Sequence, residues 1–287
     1  MQAASISLIK YYDVYLITTD EKYQFWQYMN QGAADMAALT GVRYFWRFPD
    51  NRNPQEQIRV INEAVNNGAD AILVAADNPK QITGAIEDAK ARGIKVVYVD
   101  APANEEAITT LSTDNYTAGF VAGQKMISNL ENMGLKSGSI GIIDISDKLT
   151  TTQRVEGFRA ALAENPNYSV LQTVYTNGDP DEAQQEAEQL ISQNKDLVGL
   201  FATNEGTTEG IGYAIGANNN KFVGIGFDQS DITKKLFDDG SLKVIIVQNP
   251  YTMGYIGVAE AIAGILGKDT GPSYFDTGFS VLEKEID

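Results

Sequence analysis

Short apolar runs, each closed by a polar side chain, alternate along this chain with segments whose apolar positions recur every three or four residues. The apolar runs read as strands at Tyr12–Thr18, Val42–Arg47, Ala71–Ala75, Lys95–Val99, Ala107–Ser112, Ser139–Ile145, Val170–Tyr175, Leu197–Ala202, Phe222–Phe227 and Leu242–Val247. The periodic segments read as helices at Tyr23–Leu39, Pro54–Asn67, Asn78–Ala91, Asn115–Leu130, Thr151–Ala163, Asp181–Gln193, Thr207–Ala217, Asp231–Phe237 and Tyr251–Leu266. Start and stop signals support several of them, such as Asp179-Pro180-Asp181 ahead of an acidic first turn and Gly68 or Gly93 just past a helix end. Strand and helix in alternation predict an α/β fold built on doubly wound parallel sheets. In such sheets ligands bind outside the carboxyl ends of the strands, so Asp100, Asn204, Asp228 and Gln248, which end apolar runs, are the first candidates for function.

The rhythm breaks three times. Asp100–Asn104 contains Pro102 and leads into a weak strand, Gln248-Asn249-Pro250 interrupts a strand-to-helix step, and Tyr274–Gly278 is irregular. Three such crossings predict two lobes joined by a three-segment hinge, with residues 1–111 and 249–275 in the first lobe and 112–248 and 276–287 in the second. At 287 residues the chain suits two cores better than one.

Composition narrows the chemistry. With 22 basic and 38 acidic residues the net charge is −16, which opposes nucleic-acid binding. The absence of cysteine and histidine removes thiol nucleophiles, disulfides, histidine-dependent triads and the usual zinc sites. No stretch is apolar enough to span a membrane, and the start, Met1-Gln-Ala-Ala-Ser-Ile, lacks the character of a signal peptide.

Eight short motifs occur in a telling order: Asn53-Pro-Gln-Glu-Gln-Ile with Gly68-Ala-Asp-Ala-Ile-Leu-Val, Gly93-Ile-Lys-Val-Val-Tyr-Val-Asp100, Ser112-Thr-Asp-Asn-Tyr-Thr-Ala-Gly, Arg154-Val-Glu-Gly-Phe, Phe201-Ala-Thr-Asn-Glu, Gly224-Ile-Gly-Phe-Asp228 and Val247-Gln-Asn-Pro-Tyr-Thr-Met-Gly254. Over nearly the whole chain this order resembles the type I periplasmic binding proteins, particularly their ribose-binding branch. The resemblance implies a non-catalytic, monomeric receptor without cofactor or metal. It would close over a small carbohydrate and deliver it to the membrane permease of an ABC importer. It also implies an extracytoplasmic location, in the periplasm or lipid-anchored on the outer face of a Gram-positive membrane, with the leader absent from this sequence. By motif position the site would comprise the aromatic pair Phe25 and Trp26 with Tyr23 beside them, the carboxylates Asp100 and Asp228, Arg154, and the amides Asn204 and Gln248. Two departures stand out. Ribose binders carry arginine after the first carboxylate where this chain has Ala101, and asparagine-proline before the aromatic pair where it has Tyr23-Gln24. A bulkier or more hydrophobic sugar, a hexose or a disaccharide, would suit these changes.

Other signals weigh less. Adjacent aromatics cannot share one helix face, so Phe25 or Trp26 should reach the cleft, whereas Trp46 in Tyr44-Phe45-Trp46-Arg47-Phe48 is expected in the core under flanking helices. Glu205 reads as a helix cap or a lobe-surface residue. Asp276-Thr-Gly lacks the equivalent second loop of an aspartic protease, and the glycines of Gly210–Gly216 lie inside a helix rather than after a strand. Asn177-Gly-Asp-Pro-Asp reads as a turn, since it lacks the pattern of a calcium loop. Two other functional classes share the features: the sensor domain of a membrane signalling receptor, and a glycosidase using Asp100 and Asp228 as its paired carboxylates.

Overall fold

The computed structural model describes residues 11–145 and 148–284; the outermost ends of both predicted lobes, residues 1–10 and 285–287, lie outside the described residues. The first part of the chain forms β1 (Asp13–Ile17), α1 (Gln24–Thr40), β2 (Arg43–Arg47), α2 (Pro54–Asn66), β3 (Ala71–Val74), α3 (Thr83–Ala91), β4 (Lys95–Val99) and β5 (Thr110–Ser112). It continues through α4 (Asn115–Asn132), β6 (Gly138–Ile145), α5 (Leu149–Ala163), β7 (Tyr168–Val170), β8 (Val174–Thr176), α6 (Pro180–Gln193) and β9 (Leu197–Ala202). The remainder is α7 (Glu205–Ala217), β10 (Val223–Phe227), α8 (Asp231–Asp238), β11 (Val244–Gln248), α9 (Pro250–Ile265), β12 (Tyr274–Asp276) and β13 (Phe279–Glu283).

Two α/β lobes result. The first sheet runs β12-β5-β4-β3-β1-β2 with every pairing parallel. The second runs β13-β11-β10-β9-β6-β7, with β8 also on β6, and only β13 is antiparallel, against β11. Parallel strands are covered on both faces, and their side chains divide by the period of two. Along β1, Tyr15 and Ile17 pack into the cluster under α2 and α3, while Val14 and Leu16 enter the one under α1 and α9. In the second lobe Phe201, Phe227 and Ile246 face α4 and α5, and Leu200, Ala202 and Ile245 face α6 and α7.

The chain passes between sheets three times, and the crossings bond to one another. Asp114 N donates to Asp276 Oδ1 at 3.1 Å, Thr277 N to Ser112 O at 2.8 Å and Asn249 Nδ2 to Thr277 O at 2.7 Å. Two neighbouring helices, α4 and α5, lie close. A Cβ on Gly119 of α4 would meet Arg154 O at 2.0 Å, and one on Gly157 of α5 would meet Tyr116 O at 2.0 Å. These two glycines let α5 dock main chain to main chain on α4, which fixes where Arg154 leaves its helix.

Several elements differ from the sequence reading. The strand expected over Val170–Tyr175 is two short strands, because Leu171-Gln-Thr173 leaves the ladder after β7. The helix expected from Asn78 starts at Thr83; Asn78 Oδ1 instead accepts from Lys80 N and Gln81 N, so the side chain holds a turn. Tyr44, Phe45 and Trp46 are only half-buried, since among the described residues β2 is an edge strand with a single strand neighbour. The Tyr274–Gly278 step contains β12 and leads into β13, neither of which the sequence marked as a strand.

Candidate ligand-binding cleft

The carboxyl ends of both sheets face a common cavity. Its walls include Tyr23, Phe25, Trp26, Asp100, Arg154, Asn204, Asp228 and Gln248, so all eight residues singled out from the sequence are brought together. Asp100 follows β4 and Asp228 follows β10, equivalent places in the two sheets. Each has a left-handed backbone, φ 63° and 71°, a region that costs a non-glycine residue of order 1 kcal/mol. Among the described non-glycine residues only the turn residues Asn219 and Asn220 share this feature. Backbone bonds hold both aspartates in place: Asp100 N donates to Leu111 O at 2.8 Å and Asp228 N to Ile246 O at 2.9 Å.

Their side chains are treated differently. Asp228 Oδ1 accepts from Gln248 Nε2 at 2.8 Å, and Gln248 Oε1 in turn accepts from Thr113 Oγ1 at 2.9 Å, which ties the second carboxylate to two of the crossings. No described residue donates a hydrogen bond to the Asp100 carboxylate. Burial pushes the Asp100 carboxyl up to about 6, with Arg154 pulling it down and Asp228 pushing it further up. Asp228 is likewise raised by burial against the pull of Arg154. The guanidinium between them is 2 % exposed. Arg154 Nε donates to Asn115 Oδ1 at 2.7 Å, Nη1 donates to Thr203 O at 2.6 Å, and the group lies 4.3 Å from the centroid of the Phe227 ring. Burial lowers its pKa and the surrounding aspartates oppose that shift.

The first turn of α1 supplies the aromatic wall. Phe25 and Trp26 meet edge to face, with centroids 4.8 Å apart and planes at 85°, and so form a corner rather than a flat platform. Trp26 Nε1 donates to Asp20 Oδ2 at 3.2 Å. Tyr23 spans the cleft, its hydroxyl donating to Gly178 O in the second lobe at 2.7 Å. Trp46 is absent from the cavity wall and packs beside the α1 cluster, with Nε1 on Thr18 Oγ1 at 2.9 Å.

Asn204 has two employments. It lines the cavity, and its Oδ1 caps α7 by accepting from Thr207 N at 3.3 Å and Thr207 Oγ1 at 2.6 Å. The next residue corrects the sequence reading. Glu205 is a buried bridge, not a lobe-surface residue: it is 4 % exposed, and its two oxygens accept from Gln24 N at 3.1 Å and Phe25 N at 3.0 Å, across the cleft. The N-cap residue of α1, Tyr23, offers no side-chain cap, so a carboxylate from the opposite lobe does that work. Burial pushes Glu205 up to about 8, against the pull of its two amide donors. A further bridge joins Lys148, at the start of α5, to the side chain and carbonyl of Asp77 beyond β3.

Sequence reasoning missed Thr19, Arg52, Asp77, Lys148 and Thr151 in the wall. Of these, only Asp77 carried a signal, ending the Ala71–Ala76 apolar run. Among the described residues no cluster of three or more acidic side chains is placed to hold a metal ion, and no helix is long and apolar enough to cross a membrane.

Comparison with known proteins gives this arrangement its context. Residues 14–269 match a family model described as a periplasmic binding protein domain. The ribose import binding protein of Haemophilus influenzae is 25 % identical over 214 residues, covering 74 % of this chain and 72 % of that protein. The D-apiose import binding protein of Actinobacillus succinogenes is 24 % identical over 226 residues, covering 77 % and 71 % respectively. Among solved structures, a carbohydrate transporter solute binding protein from Agrobacterium radiobacter in complex with D-arabinose superposes with a TM-score of 0.90, at 26 % identity and 96 % coverage of both chains.

Proposed function

Since the chain belongs to the periplasmic binding protein domain family, we propose that it is an extracytoplasmic solute-binding protein that holds one carbohydrate between its lobes and presents it to the permease of an ABC importer. The family is one of transport receptors rather than enzymes, which sets aside the glycosidase reading. The carrying observation is the convergence of buried Arg154 and Asp228 and partly buried Asp100 with the Phe25–Trp26 corner in a single interlobe cavity. Carboxylates and a guanidinium suit vicinal hydroxyls, and an aromatic corner suits the C–H face of a sugar ring. Import proteins for ribose and D-apiose, and a neighbour holding D-arabinose, support this substrate class.

In this reading the eight predicted residues contact sugar. Asp100 accepts from hydroxyls, Arg154 and Asn204 donate to them, and Asp228 and Gln248 hold the sugar beside the hinge. The lobes that close are residues 1–111 with 249–275 and 112–248 with 276–287; support comes from β12 in the first sheet and β13 in the second. Closure of a monomer around ligand is a population shift driven by tighter binding to the closed form. The Tyr23, Glu205 and Lys148 bridges are closed-state contacts on this view. A thermal-shift screen over mono- and disaccharides tests the proposal, because a sugar present at about 100 times its dissociation constant adds roughly 2.7 kcal/mol of stability. A folded protein that no sugar in the screen stabilises would refute it.

A further inference from the structure

Arg52 lies in the loop between β2 and α2, one residue before the N-cap Asn53, and that loop is rigid. Asn53 Oδ1 accepts from Glu56 N at 2.9 Å, Asn53 N donates to Asn51 O at 2.8 Å, and Pro54 begins the helix. The guanidinium is thereby carried into the wall of the cavity. Its Nε is buried, and it is the one buried side-chain polar atom that finds no hydrogen-bond partner among the described residues. The nearest carboxylate, Asp20, stands 3.7 Å away, which is ion-pair contact beyond hydrogen-bond length. Asp20 is already occupied by Trp26 Nε1 at 3.2 Å, Thr19 Oγ1 at 3.2 Å and Lys22 N at 3.0 Å.

Across the cleft, Gly178 marks a meeting point. A Cβ built there would lie 2.9 Å from Ile145 Cδ1, 3.4 Å from Arg52 Nη1 and 3.5 Å from Asn204 Nδ2. Two donors, one from each lobe, therefore flank the same spot, and the oxygen of Asn204 is spent on its helix cap. Arg52 also sits within electrostatic range of Asp100, whose carboxyl it pulls down. Arg52 and Asp100 line the same cavity, where a donor guanidinium and an acceptor carboxylate can share two neighbouring hydroxyls. A guanidinium with an enclosed, unpartnered nitrogen is unfavourably held, and its Nη groups, on a side chain 25 % exposed, are the ones through which a ligand hydroxyl can supply an acceptor.

We propose that Arg52 is a specificity-determining ligand contact: its guanidinium donates to a hydroxyl oxygen of the bound sugar next to the hydroxyl that donates to Asp100, and thereby selects sugars with that vicinal pair. The inference rests on the carbohydrate reading given above. It is tested with the whole chain by calorimetric titration of D-ribose, D-arabinose, D-xylose, D-galactose and D-glucose, followed by the monodeoxy forms of whichever aldose binds tightest, in wild type, Arg52→Ala and Arg52→Lys. The expected result is at least a tenfold loss for the parent aldose in Arg52→Ala and little loss for one particular monodeoxy form. Arg52→Lys, which keeps the charge but not the planar fork, should fail to restore the selectivity. Equal losses for the parent and every deoxy form would mean that Arg52 only steadies the cleft, and unchanged affinity would remove it from the site. Either result overturns this inference and leaves the sugar reading standing. Failure of the folded wild type to bind any sugar in the mono- and disaccharide screen overturns both.

Discussion

Glu205→Ala separates closure from recognition, because Glu205 reaches across the cleft to α1. The two N–H groups it accepts from, Gln24 and Phe25, have no cap from their own helix. Losing a cap, or stranding a buried donor, costs about 2 kcal/mol. If the contact forms only on closure, that cost falls on the closed state, and about 2 kcal/mol corresponds to a roughly 30-fold weaker apparent affinity. The ligand-free protein should meanwhile keep its melting temperature.

Titration of the carboxyl opposes this benefit. Its pKa rises from the ordinary 4.5 to about 8 on burial, so closure takes up a proton between those limits. A raised acid pKa favours the closed form at low pH, and the advantage is lost as pH climbs from 4.5 towards 8, by up to about 1.4 kcal/mol per pH unit. Set against about 2 kcal/mol of capping, the two effects cancel near pH 6. Glu205→Ala should therefore bind about tenfold more weakly than wild type at pH 5, match it near pH 6 and bind more tightly above pH 7. Glu205→Gln keeps one acceptor and cannot titrate, so its affinity should vary less with pH than that of wild type. Asp100, Asp228 and Glu209, also raised by burial, remain in both proteins, so the difference in slope belongs to Glu205. Isothermal titration with the sugar found in the screen, from pH 5 to 8, measures this. Identical slopes in wild type and Glu205→Gln, or no gap for Glu205→Ala at pH 5, would refute the reasoning.

Asp100→Ala and Asp228→Ala should each weaken sugar binding by more than about 1 kcal/mol in calorimetry, since each strands a ligand hydroxyl, and neither should unfold the protein. Sugar should change tryptophan emission, a change that Trp26→Phe largely abolishes and Trp46→Phe preserves, because only Trp26 lines the cavity; emission and affinity that survive Trp26→Phe would place that ring outside the contact. Gly119→Ala should lower stability to urea by about 1–3 kcal/mol and weaken binding as well, because its Cβ would meet Arg154 O at 2.0 Å and push α5 away from α4.

The fold was legible because the helices and central strands are locally over-determined. Runs such as Ala71–Val74 are apolar at every position and completely buried, and the helices carry caps at Asn53, Asp114, Asp179 and Ser230. The elements that escaped are those whose pairing is decided from far away: among the described residues β12 has only β5 as a strand neighbour, and β13 pairs with β11 at the sheet edge. The cavity wall divides the same way. Asp100, Asp228 and Gln248 end apolar strands, so the sheet topology alone collects them. Arg52 and Lys148 come from loops, where a charged residue looks like any solvated one until the lobes face each other. Glu205 was legible as a cap, but of its own helix; its service to α1 in the opposite lobe follows from a contact 180 residues distant in sequence.

Unpaired charge in the cleft also explains how such a site can discriminate. The Asp100 carboxylate, partly buried, lacks a donor from any described residue, and burial raises its pKa against the pull of Arg154. A closed cleft without ligand therefore keeps a poorly solvated acceptor, which disfavours closing. A sugar with hydroxyls in the right places supplies donors there and lifts that penalty. A sugar missing one of those hydroxyls leaves it in force, and the loss is larger than a mere missing contact because a buried polar group stays unsatisfied. The strained backbone at Asp100 and Asp228 fits this account, since the left-handed turn at each strand end is retained at the cavity wall by backbone bonds from the neighbouring strands. With Asp100 assigned to the sugar as proposed, specificity would arise less from the strength of attraction for the correct sugar than from the cost of closing on anything else.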